Sequence, residues 1–190
     1  MAEEKVAEIV ISDNDNSAGL KTTDAEHFVV QQISGVSKDA VITKVKFQLV
    51  KEGAPVGDVW AEIWDDDTAG SSHIIGVASA VKDASTITGV AVTYEFTWAL
   101  GPSTTVAHGN YWIVIAADYA TSVVNYLIVR VDSAGADMSF VSSPEDYTWD
   151  STSNDVGLEL YGIVADADTE DLLFASPFKN PFNTPIQGAT

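Results

Sequence analysis

Apolar and polar residues alternate along most of the chain between residues 27 and 163. "VITKVKFQLV" (41–50) sets Val45, Phe47 and Leu49 against Lys44, Lys46 and Gln48, the period-two signature of a strand with one covered face and one wet face. "GVAVTYEFTWAL" (89–100) puts Val90, Val92, Tyr94, Phe96 and Trp98 on one face, and Thr93, Glu95 and Thr97 on the other. "HFVVQQI" (27–33), "VWAEIW" (59–64), "YWIVIAA" (111–117), "NYLIVRV" (125–131) and "VGLELYGI" (156–163) predict further strands. Between them stand turn formers: Glu52-Gly53-Ala54-Pro55, Asp65 to Gly70, Gly101-Pro102, His108-Gly109-Asn110 and Asp150 to Asp155. No window sustains a 3.6-residue apolar period over three turns. Many short strands joined by such turns predict an all-β protein, an antiparallel jelly roll or β-sandwich with extended N- and C-terminal arms. Its predicted core is Val45, Phe47, Leu49, Tyr94, Phe96, Trp98, Ile113, Ile115, Leu158 and Leu160.

The pattern divides the chain into three parts. Residues 1–26 read as an N-terminal arm with one possible strand, "VAEIVI" (6–11), followed by the polar run "SDNDNSAG". Residues 27–163 are the sandwich. Residues 164–190 begin with acidic "VADADTED" and then repeat polar, proline, large apolar, polar in "SPFK", "NPFN" and "TPIQ". Proline removes a backbone donor and favours extended or turn conformations, so this stretch cannot extend a sheet. Water does not reward large apolar side chains presented in register. Phe174, Pro177, Phe178, Pro181, Phe182, Pro185 and Ile186 are therefore the expected partner-docking residues of a C-terminal arm.

Charge narrows the partners. The 190 residues carry 28 acids against 9 bases, a formal net charge of −19. Nucleic acid and anionic membrane surfaces both need basic patches, so neither is an expected partner. There is no cysteine, which excludes disulfides and thiol chemistry. No basic start with a long apolar run opens the sequence, and no stretch reaches 18 uninterrupted apolar residues. The expectation is a chain without a secretory signal and without membrane insertion.

Candidate chemistry is sparse. Asp65-Asp66-Asp67 sits between two strand patterns, and adjacent aspartates cannot all face one ion, so the run reads as a hairpin tip. Asp13, Asp15 and Ser17 alternate ahead of Gly19 and form a weak calcium candidate. They lack the distal glutamate of a complete oxygen-ligand loop, so a structural Ca²⁺ is the only cofactor considered. His27, His73 and His108 form no metal-binding spacing, and no nucleophile elbow or glycine-rich phosphate loop is present. The expected class is not an enzyme. Of the five tryptophans, Trp98 and Trp112 lie in apolar strands and read as core, while Trp60 and Trp64 share one strand face. Tyr147 and Trp149, in turn-rich "SSPEDYTWDSTSND", are the expected loop-borne aromatics and the possible glycan contacts.

Three stretches carry a resemblance. "ITKVKFQLVKEGAPVGDVWAEIWDDDTAG", "YEFTWALGPSTTVAHGNYWIVIAAD" and "DVGLELYG" together resemble the jelly-roll, carbohydrate-binding-like domain of tailed-phage structural proteins and anchored bacterial surface proteins, over about residues 20–163. The resemblance implies a virion structural protein: a capsid decoration, fibre-base or tail component. Such a protein is assembled in the host cytoplasm and docked on other virion proteins or on copies of itself. The alternatives are a carbohydrate-binding module that contacts surface glycans, and a subunit of an extracellular or cell-surface filament assembled by strand addition through "VAEIVI".

Overall fold

The computed structural model describes residues 3–10, 16–20, 28–36, 39–65, 78–100, 105–106, 109–118, 124–133, 139–143, 148–152 and 154–164. Their elements are β1 (Glu3–Ile9), β2 (Asn16–Leu20), β3 (Phe28–Val36), β4 (Ala40–Glu52), β5 (Asp58–Asp65), β6 (Lys82–Asp83), a 3-10 turn (Ala84–Thr86), β7 (Val92–Thr97), β8 (Thr105–Val106), β9 (Gly109–Ala117), β10 (Tyr126–Asp132), β11 (Ser139–Ser143), β12 (Thr148–Thr152), β13 (Asp155–Val156) and β14 (Leu158–Val164). They form two antiparallel sheets. One holds six strands in the order β12-β11-β3-β9-β5-β6. The other holds eight strands built around β4. On one side, β4 pairs with β7 and β8. On its other side β14 and β10 follow end to end along it, because Val45 pairs with both Phe96 and Leu160, and Leu49 with both Val92 and Val129.

The strand patterns explain why these two sheets face each other. Val45, Phe47 and Leu49 point inward from the eight-stranded sheet, and Ala61, Ile63, Ile113 and Ile115 point inward from the six-stranded one. Nine of the ten expected core residues are buried. Tyr94 is the exception and is half-buried, with its hydroxyl accepting the Thr88 N–H at 2.8 Å. The strand around it also starts later than its pattern suggests. The Thr88 hydroxyl donates to the Val90 carbonyl at 2.8 Å, and this local bond holds a bend that delays β7 to Val92. Val90 consequently lies outside the ladder and is 66% exposed.

The stretch 1–26 contributes more to the sheet than one strand. β1 lies along β14, and β2 lies along β10, with Ser17 opposite Arg130. Strands β2, β6, β8, β11 and β12 have no clear period-two pattern, since Ser, Thr, Gly and Asp dilute them. Their pairing partners supply the order that their own composition does not.

One polar side chain ties the sheets together through the core. Gln31 of β3 stands at an inward position with no exposed surface. Its Oε1 accepts the Val156 N–H at 2.6 Å, and its Nε2 donates to the Gln32 carbonyl at 3.0 Å. Gln31→Leu keeps the volume but strands the buried Val156 N–H, so it should destabilise the fold by about 1–3 kcal/mol. Chemical denaturation of the variant checks this, and a change near zero would show that the bond contributes nothing net.

The outer face of the eight-stranded sheet is charged. Lys44 Nζ reaches Glu3 at 2.6 Å and Glu95 at 3.6 Å, while Lys5 reaches Glu8 at 2.6 Å and Glu159 at 3.4 Å. Tyr161 donates to Glu159 at 2.7 Å, and Lys44 and Lys46 sit over its ring at 5.0 and 4.7 Å. The bond from Lys44 lowers the Glu3 pKa, and the Tyr161 hydroxyl lowers that of Glu159. Glu3 raises the pKa of Lys44, and Glu159 raises that of Tyr161. A lowered carboxylate stabilises above its unfolded pKa near 4.5, and that contribution disappears as pH falls through the folded value. A raised Lys or Tyr stabilises below its unfolded pKa, and that contribution disappears as pH rises through the folded value. The melting difference between wild type and Glu3→Gln should therefore be greatest between about pH 5 and 10 and shrink in acid only as the pH falls through the lowered Glu3 value. It should be small throughout, because these groups are solvent-screened. A difference that does not shrink at all in strong acid would contradict the assignment.

Candidate functional site

The outward side of the six-stranded sheet differs in kind from the charged face behind it. Along β5, Val59, Ala61 and Ile63 face the core, so Trp60, Glu62 and Trp64 face out. The neighbouring strand β9 pairs Ala116 with Trp60, Val114 with Glu62 and Trp112 with Trp64. Across β3, Phe28 pairs with Ala116, Val30 with Val114 and Gln32 with Trp112. The rows continue to Ser142 and then Trp149, and to Phe140 and then Ser151, on β11 and β12. In this patch one carboxylate sits among tryptophan, valine and alanine.

Glu62 organises the patch. The Trp60 indole N–H donates to its Oε1 at 2.7 Å, and the Trp64 indole N–H donates to its Oε2 at 2.8 Å. The backbone positions of Trp60 and Trp64 lie about 13–14 Å apart along the strand, and both rings lean toward the carboxylate between them, whose two oxygens take the two indole N–H groups. Each ring is fixed by its bond to the same anion. No cation reaches Glu62 among the described residues.

Burial confirms that this face is not an ordinary wet one. Trp64 keeps 6% of its surface, Val114 and Ala116 keep none, and Trp60, Glu62 and Trp112 are half-buried. Antiparallel sheets normally present one polar face to water, whereas this one is apolar and covered at its middle, with Trp60, Glu62 and Trp112 as its half-exposed members. Tryptophan is also the residue type most enriched where binding energy concentrates.

Two sequence expectations change here. Trp112 is not a core residue, because the β9 register turns Ile113 and Ile115 inward and leaves Trp112 on the outer side. Trp149 is not on a loop, since its backbone lies in β12 opposite Ser142. Trp98 is core as expected, at 5% exposure. Trp60 and Trp64 share a face as their spacing indicates, but the central role of Glu62 was readable only as a position, two residues from each.

The remaining expected site residues fall apart spatially or lie elsewhere. Ser17 is in β2, while Asp13 and Asp15 lie outside the described residues. Asp65 ends β5, and Asp66 and Asp67 lie outside the described residues, as do Tyr147, His27, His73, His108 and the docking residues Phe174, Pro177, Phe178, Pro181, Phe182, Pro185 and Ile186. Among the described residues no three His, Cys, Asp or Glu side chains are grouped to hold a metal ion. No helix among them is long and apolar enough to cross a membrane. No protein-family model, no curated protein and no solved structure matches this chain.

Proposed function

We propose that the chain is a non-enzymatic structural subunit of a virion, a jelly-roll decoration, fibre-base or tail component that works by docking. The single observation that carries this reading is the outer face of the six-stranded sheet, where Trp60, Trp64, Trp112, Val114 and Ala116 surround one clamped carboxylate. Its half-exposed tryptophans, Trp60 and Trp112, are the residue type most enriched where binding energy concentrates. The sequence of residues 164–190 adds proline and large apolar residues, Phe178 and Phe182 among them, as a second set of docking candidates, and the partners are copies of itself or other virion proteins.

The carbohydrate alternative asks for open aromatic rings with polar groups free to read a sugar. Here both indole N–H groups of Trp60 and Trp64 already bond Glu62, and Trp64 is covered. The filament alternative lends the first strand to a neighbour, and β1 is hydrogen-bonded to β14 of its own chain.

Native mass by light scattering over a dilution series tests the proposal. The wild type should form a multi-copy species, and Phe178→Ser with Phe182→Ser should reduce it to a monomer at an unchanged melting temperature. A wild-type chain that remains a monomer at every concentration and binds immobilised oligosaccharides through Trp60 would transfer the function to the carbohydrate class.

A further inference from the structure

We infer that the Trp60–Glu62–Trp64 row receives an arginine side chain from a different protein, with the guanidinium on the Glu62 carboxylate and the stem along the half-exposed indoles of Trp60 and Trp112. This rests on the docking reading above and adds what the partner must carry. The first argument is charge. On the opposite sheet Glu3, Glu8, Glu95 and Glu159 each meet a lysine of their own chain. Glu62 is held by two neutral indole N–H groups, and no cation reaches it among the described residues. Any surface laid over this row takes an ionised carboxylate out of water. Without a counter-charge that desolvation opposes docking, and with one it becomes a selective contact. A partner for this face therefore brings a cation to Glu62.

Geometry is the second argument. An ionised carboxylate accepts about four hydrogen bonds, two on each oxygen. The Trp60 N–H takes one place on Oε1 at 2.7 Å and the Trp64 N–H one on Oε2 at 2.8 Å, so each oxygen keeps one place. A guanidinium presents parallel N–H groups in one plane and meets two oxygens at once, whereas an ammonium is a point charge. The indole bonds also hold the carboxylate in one orientation beforehand, so little side-chain entropy remains to be lost on binding. Trp60 stands two residues from Glu62 on β5, and Trp112 lies diagonal to it on β9, next to the directly opposite Val114. Such separations, about 7–8 Å, are within reach of an arginine's apolar stem.

The third argument concerns the source of the cation. The sequence holds 28 acids against 9 bases, and Arg130 is its single arginine. That residue lies half-buried on β10 of the other sheet, opposite Ser17. Two copies carrying −19 each also repel at long range, while the same field draws a basic segment in. The occupant is therefore a basic segment of another protein and not a second copy.

Titration of the full chain with isotope-labelled tryptophan tests this, because the indole N–H signals of Trp60 and Trp64 report the carboxylate directly. The probe is a blocked Leu-Arg-Leu peptide, and its control carries neutral citrulline in place of arginine. Both indole signals should shift saturably with the arginine peptide, and binding should weaken about tenfold or more with citrulline. Glu62→Gln, checked for an unchanged melting temperature, should lose about as much toward the arginine peptide. Glu3→Gln, the same change of charge on the opposite sheet, should alter binding less than about twofold. Trp60→Phe removes one N–H but keeps the carboxylate, and should still favour arginine over citrulline. No saturable shift, equal binding of the two peptides, or equal losses in Glu62→Gln and Glu3→Gln would overturn the inference. Indole shifts that grow when the protein alone is concentrated would assign the row to a second copy and overturn it as well. Native mass is a separate readout. A chain that stays monomeric yet favours the arginine peptide keeps this contact and loses the multi-copy assembly, and an assembling chain without that preference loses only the contact.

Discussion

Phe47→Ala should cost the fold about 3–5 kcal/mol, the largest effect expected of any single truncation here. Phe47 is 1% exposed on the strand that both halves of the eight-stranded sheet share. Its ring stacks on Phe96 with centroids 4.7 Å apart and planes 5° from parallel. Phe96 is itself fully buried, with Lys82 Nζ 5.4 Å from its ring centroid on another side. Alanine at position 47 removes the transfer free energy of a whole aromatic side chain and leaves a void that two paired strands cannot close. It also removes the ring contact, which is worth about 0.5–1.5 kcal/mol beyond area. For a chain of this length the melting temperature should fall by roughly 10 °C. Phe47→Leu, which retains most of the volume, should cost much less. A loss under about 1 kcal/mol for Phe47→Ala, measured by denaturant titration, would mean that the two rings are not packed as described.

Gly53→Ala should cost about 2–4 kcal/mol although only one methyl is added and nothing is removed. Gly53 follows β4 with φ +63°, a conformation that L side chains seldom adopt. A Cβ there would lie 2.0 Å from the Val124 carbonyl oxygen and 2.3 Å from Asn125 Oδ1. The Asn125 side chain cannot simply step aside, because its Oδ1 accepts the Ala54 N–H at 2.8 Å. The methyl therefore forces the turn after β4 away from the start of β10, at the place where Glu52 pairs with Tyr126. Loss of near-native stability in Gly53→Ala, with amide exchange accelerated first at Tyr126 and Leu127, is the expected signature. An unchanged exchange pattern at β10 would refute the clash as its cause.

The two effects differ in how visible they are beforehand. Phe47 announces itself by alternation, since a one-residue slip would expose Val45, Phe47 and Leu49 together. Gly53 in "EGAP" announces a turn, but only the structure shows that Val124 and Asn125, some seventy residues on, close over it.

The same division runs through the candidate site. Alternation along "VWAEIW" by itself determined that Trp60, Glu62 and Trp64 share a face, because side chains on a strand have a period of two whatever they pack against. It also determined the all-β class, the inward set on β4 and β14, and the outward lysines 44 and 46. "YWIVIAA" could not be read in this way. It is apolar at every position because β9 is covered on both faces, so its parity carries no contrast. Only the pairing of β9 with β5 places Trp112 beside Trp64 and Val114 beside Glu62. Tertiary structure likewise decided that Trp149 belongs to a strand, that Gln31 stands in the core to take the Val156 N–H, and that Glu62 holds two indoles at once. Those facts depend on neighbours distant in sequence. A local pattern records which way a side chain points, whereas the register between strands decides what it meets.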